Sequence, residues 1–138
     1  MEATVELRID PSSATPIYAQ VVEQVRGLVA SRALRPGDQL PSVRELAASL
    51  RVNRNTAAKA YQTLESEGVI ETHRGQGCFV SEAGPRWSLE ERRRRLEMSL
   101  DRALTEAHHL GISPEEIPRL LEARMRLFAR RGASARKG

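Results

Sequence analysis

The stretch Ser42-Val43-Arg44-Glu45-Leu46-Ala47-Ala48-Ser49-Leu50-Arg51-Val52-Asn53-Arg54-Asn55-Thr56-Ala57-Ala58-Lys59-Ala60-Tyr61 contains two helix starts in quick succession. Ser42 and Glu45 have capping-box spacing, and Val43, Leu46, Ala47 and Leu50 form a short apolar face. That helix is only about two to three turns long. Asn53 is the next N-cap; Ala57, Ala60, Tyr61 and Leu64 then line a second helix, which ends near Glu67 with Gly68 able to take the left-handed closing position. Leu50-Arg51-Val52 joins two short helices whose second member begins with polar and basic residues.

Upstream, residues 1–14 read as an N-terminal arm. Thr15 to Leu34 reads as a helix, with Thr15 as cap, Pro16 in the first turn, and Ile17, Val21, Val25, Leu28 and Val29 at helical spacing. Arg35-Pro36-Gly37-Asp38 stops it. Downstream the period changes: Val69-Ile70-Glu71-Thr72 and Cys78-Phe79-Val80 are β-prone runs around His73-Arg74-Gly75-Gln76-Gly77, a hairpin with a glycine-rich tip. Gly84-Pro85-Arg86 breaks the pattern. Ser88 to Glu91 repeats the capping-box spacing before a helix with Leu89, Leu96, Leu100, Ala103, Leu104 and Ala107 on one face, closed by Gly111. Ser113, Pro114 and Glu116 open a last helix carrying Ile117, Leu120, Leu121, Met125 and Phe128, with Pro118 expected to bend or delay its start. The fold class expected is mainly α with a small β-hairpin. A winged helix-turn-helix DNA-binding domain (15–82) and a linker (83–87) precede a short α-helical dimerisation domain (88–131) and a disordered tail (132–138).

Composition narrows the function classes. No apolar run approaches the roughly 20 residues that cross a bilayer. The first ten residues hold Glu2, Glu6 and Asp10 and lack the form of a secretory signal, so a cytoplasmic protein without membrane partners is expected. Cys78 is the single cysteine, which excludes an internal disulfide and a cysteine-based zinc site within one chain. The net charge of +4 makes polyanions plausible partners, yet residues 1–85 carry nine Lys or Arg against ten Asp or Glu. Local charge is more telling: between residues 41 and 60, Arg44, Arg51, Arg54 and Lys59 face only Glu45.

A major groove admits one helix, and side chains near that helix's N-terminus reach base edges. Arg54, Asn55 and Thr56 occupy this first turn behind the Asn53 cap: Arg suits guanine, Asn suits adenine, and Thr can meet a thymine methyl or a phosphate. Lys59 and Arg44 are expected on phosphates, and Tyr61 partly in the core. In the hairpin tip, Gly75 and Gly77 let backbone approach a sugar-phosphate surface while Arg74 or Gln76 enters a minor groove. A glycine-rich turn alone would say little, since tight hairpins need positive φ without DNA.

These residues resemble the GntR family of bacterial regulators: Pro16-Ile17-Tyr18; Leu34 through Ala47, reading Leu-Arg-Pro-Gly-Asp-Gln-Leu-Pro-Ser-Val-Arg-Glu-Leu-Ala; Val52-Asn53-Arg54-Asn55-Thr56; Lys59-Ala60-Tyr61 through Gly68; and Gly75-Gln76-Gly77-Cys78-Phe79-Val80. The match runs almost continuously over residues 15 to 81. The short two-helix extension from residue 88 resembles the YtrA subfamily. The resemblance implies a homodimer that controls its own operon and transporter genes; two recognition helices set against two half-sites lead to the expectation of an approximately palindromic double-stranded DNA operator and repression by occlusion. It carries family DNA contacts to Arg44, Arg54, Asn55, Thr56 and Gly75. Many relatives place an Arg where this chain has Ala58, so Lys59 or another base-reading pattern is expected to compensate.

Other readings are weaker. A helix-turn-helix also serves as a protein-interaction module, with Arg44, Arg54 and Lys59 as a solvated face. Cys78 reads as a small core-packing strand residue rather than a redox sensor. His108-His109 reads as a helix end, because adjacent helical residues diverge and cannot share a metal. Arg92 to Arg95 spread around the helix and are expected mostly solvated, with Trp87 anchoring the junction. No catalytic constellation, cofactor motif or metal site is found, and residues 86–138 are too few for the pyridoxal-phosphate fold fused to some relatives. Leu96, Leu100, Leu104, Leu121, Met125 and Phe128 are expected to form a dimer interface, and a small-molecule effector, if one exists, would sit between protomers.

Overall fold

A computed structural model describes the backbone of residues 5–84 and 86–137, with side chains as far as Arg131. Residues 1–4 of the arm, Pro85 of the linker and Gly138 of the tail lie outside the described residues. The order is α1 (Ile17–Ala30), β1 (Gln39–Leu40), α2 (Val43–Leu50), α3 (Arg54–Ser66), β2 (Ile70–His73), β3 (Gly77–Val80), α4 (Leu89–His109) and α5 (Ile117–Lys137). Among the described residues, five helices and a three-stranded antiparallel sheet of order β1-β3-β2 make a winged helix followed by two long helices.

The core lies where α3 packs on α1 and α2 and leans on β2. Val21, Val22 and Val25 of α1 meet Leu46 and Ala47 of α2, Ala57, Ala60, Tyr61 and Leu64 of α3, and Leu34, Leu40, Ile70 and Val80. The small Ala57 and Ala60, both fully buried, let α3 approach its neighbours closely. Val5, Leu7 and Ile9 of the arm pack on this core while two glutamines of α1 clamp its backbone. Gln24 accepts from Arg8 N–H at 2.8 Å and donates to the Arg8 carbonyl at 2.7 Å; Gln20 does the same at Asp10, at 2.8 and 2.9 Å.

The helix ends explain the connections. Both halves of the Ser42/Glu45 capping box form. At the far end of α2, Arg51 takes a left-handed conformation (φ 56°), and the Val52 and Arg51 amides return to the Ala47 and Ala48 carbonyls. This is the Schellman closure, here without glycine. The same closure recurs after α3, where Gly68 (φ 79°) sends its amide to Glu65 and Val69 sends its own to Leu64.

Four expectations need correction. Helix α1 ends at Ala30, not Leu34, because Arg32 turns left-handed (φ 68°) and folds the buried Leu34 back so that its amide bonds the Leu28 carbonyl. Its N-cap is Pro16 rather than Thr15, with no side-chain cap bond. The hairpin gains a third strand, Gln39–Leu40, paired to Phe79 and Cys78. Finally, the backbone of α5 stays helical past Gly132 to Lys137 instead of ending in a structureless tail, since one glycine weakens a helix without stopping it and Ala133 and Ala135 favour continuation. Pro118 does delay that helix, which begins only at Ile117 after a turn over Ser113 to Glu116.

Candidate nucleic-acid interface

The first turn of α3 is shaped by its cap. Asn53 Oδ1 accepts from the Asn55 amide at 2.7 Å, and the Asn53 carbonyl accepts from Thr56 and Ala57 at 3.0 and 3.1 Å. The cap takes up the Asn55, Thr56 and Ala57 amides and leaves Arg54 and Asn55 exposed, with Thr56 half-buried beside the core. Arg54 and Asn55 make no side-chain hydrogen bond among the described residues. Arg44, second residue of α2, and Arg74, at the wing tip, are likewise exposed without an ion-pair partner there. Three guanidiniums without an internal carboxylate are positioned to bind external phosphate or base edges.

The elements carrying these groups are fastened to each other. Tyr61 of α3 donates its hydroxyl to the Pro41 carbonyl at 2.7 Å, next to the Ser42 cap of α2. Tyr61 is buried, as its expected core role requires. Between β2 and β3 the wing turns over His73 to Gln76, closed by the Gln76 amide on the His73 carbonyl at 2.8 Å. Gly75 adopts φ 77° with open space where a Cβ would stand, so the wing backbone is accessible at its tip.

Two positioning residues escaped the sequence reading. Gln39 of β1 donates from Nε2 to the Gln76 carbonyl at 3.0 Å and so ties the wing tip to the strand that leads into α2. Gly77 holds φ 120°, a conformation that residues with a Cβ rarely adopt, and a Cβ there would also stand 2.9 Å from that same nitrogen and displace it. Tyr18 of α1 lies under Lys59, whose ammonium is 4.1 Å from the ring centroid. Lys59 is thus held over an aromatic face rather than extending freely from α3. Its charge remains available while its position is fixed. The only sequence signal for either residue was the motif that contains it; two-residue β1 has no detectable period.

Elsewhere, Cys78 packs against the core with its Sγ 3.6 Å from Thr72 Oγ1. The Arg92–Arg95 run is more engaged than expected. Arg94 and Arg95 share Glu91 at 2.7 and 3.1 Å, Arg92 donates to the Trp87 carbonyl, and Arg95 stacks 3.7 Å above the Trp87 ring. The Arg94 hydrogen bond, with the added charge of Arg95, holds the Glu91 carboxyl at about 2, down from its usual 4.5. Trp87 therefore anchors the first turn of α4. Of the expected interface residues, Leu96, Leu100, Leu104, Leu121 and Met125 are exposed and Phe128 is half-buried; α4 and α5 pack only marginally on each other.

Residues 17–80, from α1 through the wing, match the family model of bacterial regulatory proteins, gntR family. The HTH-type transcriptional repressor YtrA of Bacillus subtilis is 41% identical over 111 residues, covering 80% of this chain and 85% of that protein. The chain belongs to the GntR family. It is a transcription regulator with a DNA-binding winged helix-turn-helix, of the YtrA-like kind, and not an enzyme. The likeness extends beyond the GntR winged helix. A structure described as a transcriptional antiterminator from Listeria monocytogenes superposes with a TM-score of 0.78 at 31% identity, covering 90% of this chain and 92% of the other. YtrA from Sulfolobus acidocaldarius, a GntR-family transcription factor, gives a TM-score of 0.59 at 39% identity over 74% of this chain and 99% of its own. Among the described residues no helix is long and apolar enough to cross a membrane.

Proposed function

We propose that two copies of this chain form a homodimer through α4 and α5 and repress transcription by occupying an approximately palindromic operator. Residues 15–82 act as the DNA-binding domain and residues 88–131 as the dimerisation domain, in the cytoplasm. The observation that carries this reading is the distribution of apolar surface. Every exposed large apolar side chain among the described residues falls between Leu89 and Met125, on α4, α5 and their connecting turn. Two long helices with such faces and little mutual packing need a partner, and a second copy supplies an identical apolar surface at fixed stoichiometry.

In the dimer each α3 enters a major groove. Arg54 and Asn55 read base edges, Thr56 packs at the groove wall, and the Asn53 cap sets their register. Arg44 and Lys59 bind phosphate. Arg74, Gly75 and Gln76 follow the backbone toward the minor groove, steadied by Gln39. The similarity to a protein named as a repressor favours repression over activation; control of the chain's own operon and of transporter genes is part of the same proposal and rests on the resemblance to the YtrA subfamily.

Titration against self-promoter and random-sequence duplexes at two salt concentrations, together with mass in solution, tests the proposal. Dimer-stoichiometric binding that is tighter on the promoter and falls steeply with salt is the expected result. Absence of salt-dependent DNA binding at micromolar protein would favour a protein-interaction module instead.

A further inference from the structure

At the opposite end of α3 from Arg54, a cleft of about 780 Å³ opens between the winged helix and α4. Its wall on the winged-helix side is Arg26, Val29, Ala30 and Arg32 of α1 and the turn after it, with Glu67, Gly68, Val69 and Val80. Its other wall is Trp87 and one side of α4, including Arg94, Arg95, Met98 and Arg102. The thirteen-residue α3 separates this cleft from the base-reading turn by about 20 Å, so operator phosphates at α3 do not account for its charge.

We propose that this cleft binds a small organic anion carrying phosphate or carboxylate groups on a planar apolar body, and that the bound anion sets the angle between the winged helix and α4. Five guanidiniums line the cleft, and on its α4 wall Arg94 and Arg95 share one carboxylate while Arg102 meets none among the described residues, so that wall carries positive charge in excess. Arg26 already bridges Glu67 across from α1, and Arg94 and Arg95 compete for the single Glu91. Arg102 donates to Ser99 Oγ at 3.0 Å and pairs with no carboxylate among the described residues. Guanidiniums arranged on two facing walls suit the planar, bidentate oxygens of carboxylate or phosphate. The floor supplies the rest of the recognition: Val29, Ala30, Val80 and Met98 are apolar, and the Trp87 ring is already occupied on one face by Arg95. An anion in contact with both walls would bridge two elements that otherwise touch little, and would thereby fix the spacing of two recognition helices in a dimer. This last step rests on the proposed dimer; the binding itself does not.

Trp87 is the only tryptophan, so its fluorescence reports on the cleft without DNA. The full-length protein is titrated with ADP and, in separate arms, with inorganic phosphate and with phthalate at matched ionic strength. The expected result is a saturable change in Trp87 emission with ADP or phthalate at sub-millimolar to millimolar concentration and none with inorganic phosphate. Response to ADP alone identifies a phosphate-bearing ligand, and response to phthalate alone a carboxylate. Arg102→Ala, an exposed position outside the core, should weaken the response at least about tenfold, the loss of one charge-assisted hydrogen bond, while Arg124→Ala on α5 leaves it unchanged. No saturable response in any arm, as when a partner subunit fills the cleft, or equal weakening by both variants, would overturn the proposal. Operator affinity measured on the same samples separates this failure from failure of DNA binding.

Discussion

The Tyr61 hydroxyl donates to the Pro41 carbonyl at 2.7 Å, so the helix expected to read DNA is pinned to the residue that precedes the α2 cap. Tyr61 sits otherwise within the core, and removing its hydroxyl keeps the apolar packing while leaving a carbonyl short of its partner. Tyr61→Phe is expected to lower stability by about 1 kcal/mol in chemical denaturation, with the helix content unchanged. An unchanged midpoint would show that the bond contributes nothing net.

The two Schellman closures make opposite predictions. Arg51 holds a left-handed conformation that favours glycine, so Arg51→Gly should be stabilising by up to about 1 kcal/mol, the relieved strain offset in part by a looser unfolded chain. Gly68 holds a similar conformation, but a Cβ there would stand 3.1 Å from Arg86 Cγ and 3.3 Å from the Arg86 amide nitrogen. Gly68→Ala is therefore expected to destabilise by about 1 kcal/mol or more. Thermal or denaturant unfolding of both variants checks the pair, and a shift of the same sign in each would contradict it.

Glu91 links pH to the first turn of α4. Its carboxyl is held at about 2 in the folded chain, chiefly by the hydrogen bond from Arg94, against the usual 4.5. Because the folded value is the lower one, the pairing favours the folded turn above 4.5 and that contribution is lost as pH falls toward 2. Carboxyl titration followed by NMR should show Glu91 still ionised at pH 3 and its value moved upward in Arg94→Ala. A normal titration in both proteins would remove the ion pair from the account.

Leu121 and Phe128 both lie on α5, on the surface proposed to meet a second copy. The double change Leu121→Asp, Phe128→Asp should yield monomers, because it places charges in a face whose burial is otherwise favourable. Sedimentation of the variant tests this directly; an unchanged dimer mass would move the interface elsewhere.

Much of the winged helix was legible because its boundaries are chemical. Ser42, Glu45, Asn53 and Gly68 specify helix ends through bonds that depend on residue type, and each acts as its spacing implies. The end of α1 was not legible: Arg32 reverses the chain in a conformation usually announced by glycine, and Leu34 looks like one more helical apolar residue while serving the core from a loop. Strand β1 is too short for any alternation to appear, and it exists because Gln39 and Leu40 find β3 in three dimensions. At the candidate interface, single residues such as Arg44, Arg54 and Arg74 could be nominated from local chemistry. The supports could not, since Gln39 to Gln76 and Tyr18 to Lys59 join positions far apart in the chain.

The central claim is that α3 reads sequence through Arg54 while α2 binds phosphate through Arg44. The direct test is the affinity of the unaltered protein, Arg54→Ala and Arg44→Ala for promoter and random duplexes at one salt concentration. Arg54→Ala is expected to lose about 1 to 3 kcal/mol on the promoter and little on random DNA, with relaxed preference at one base. Arg44→Ala should weaken both duplexes alike. Equal losses on promoter and random DNA for both variants would contradict the account.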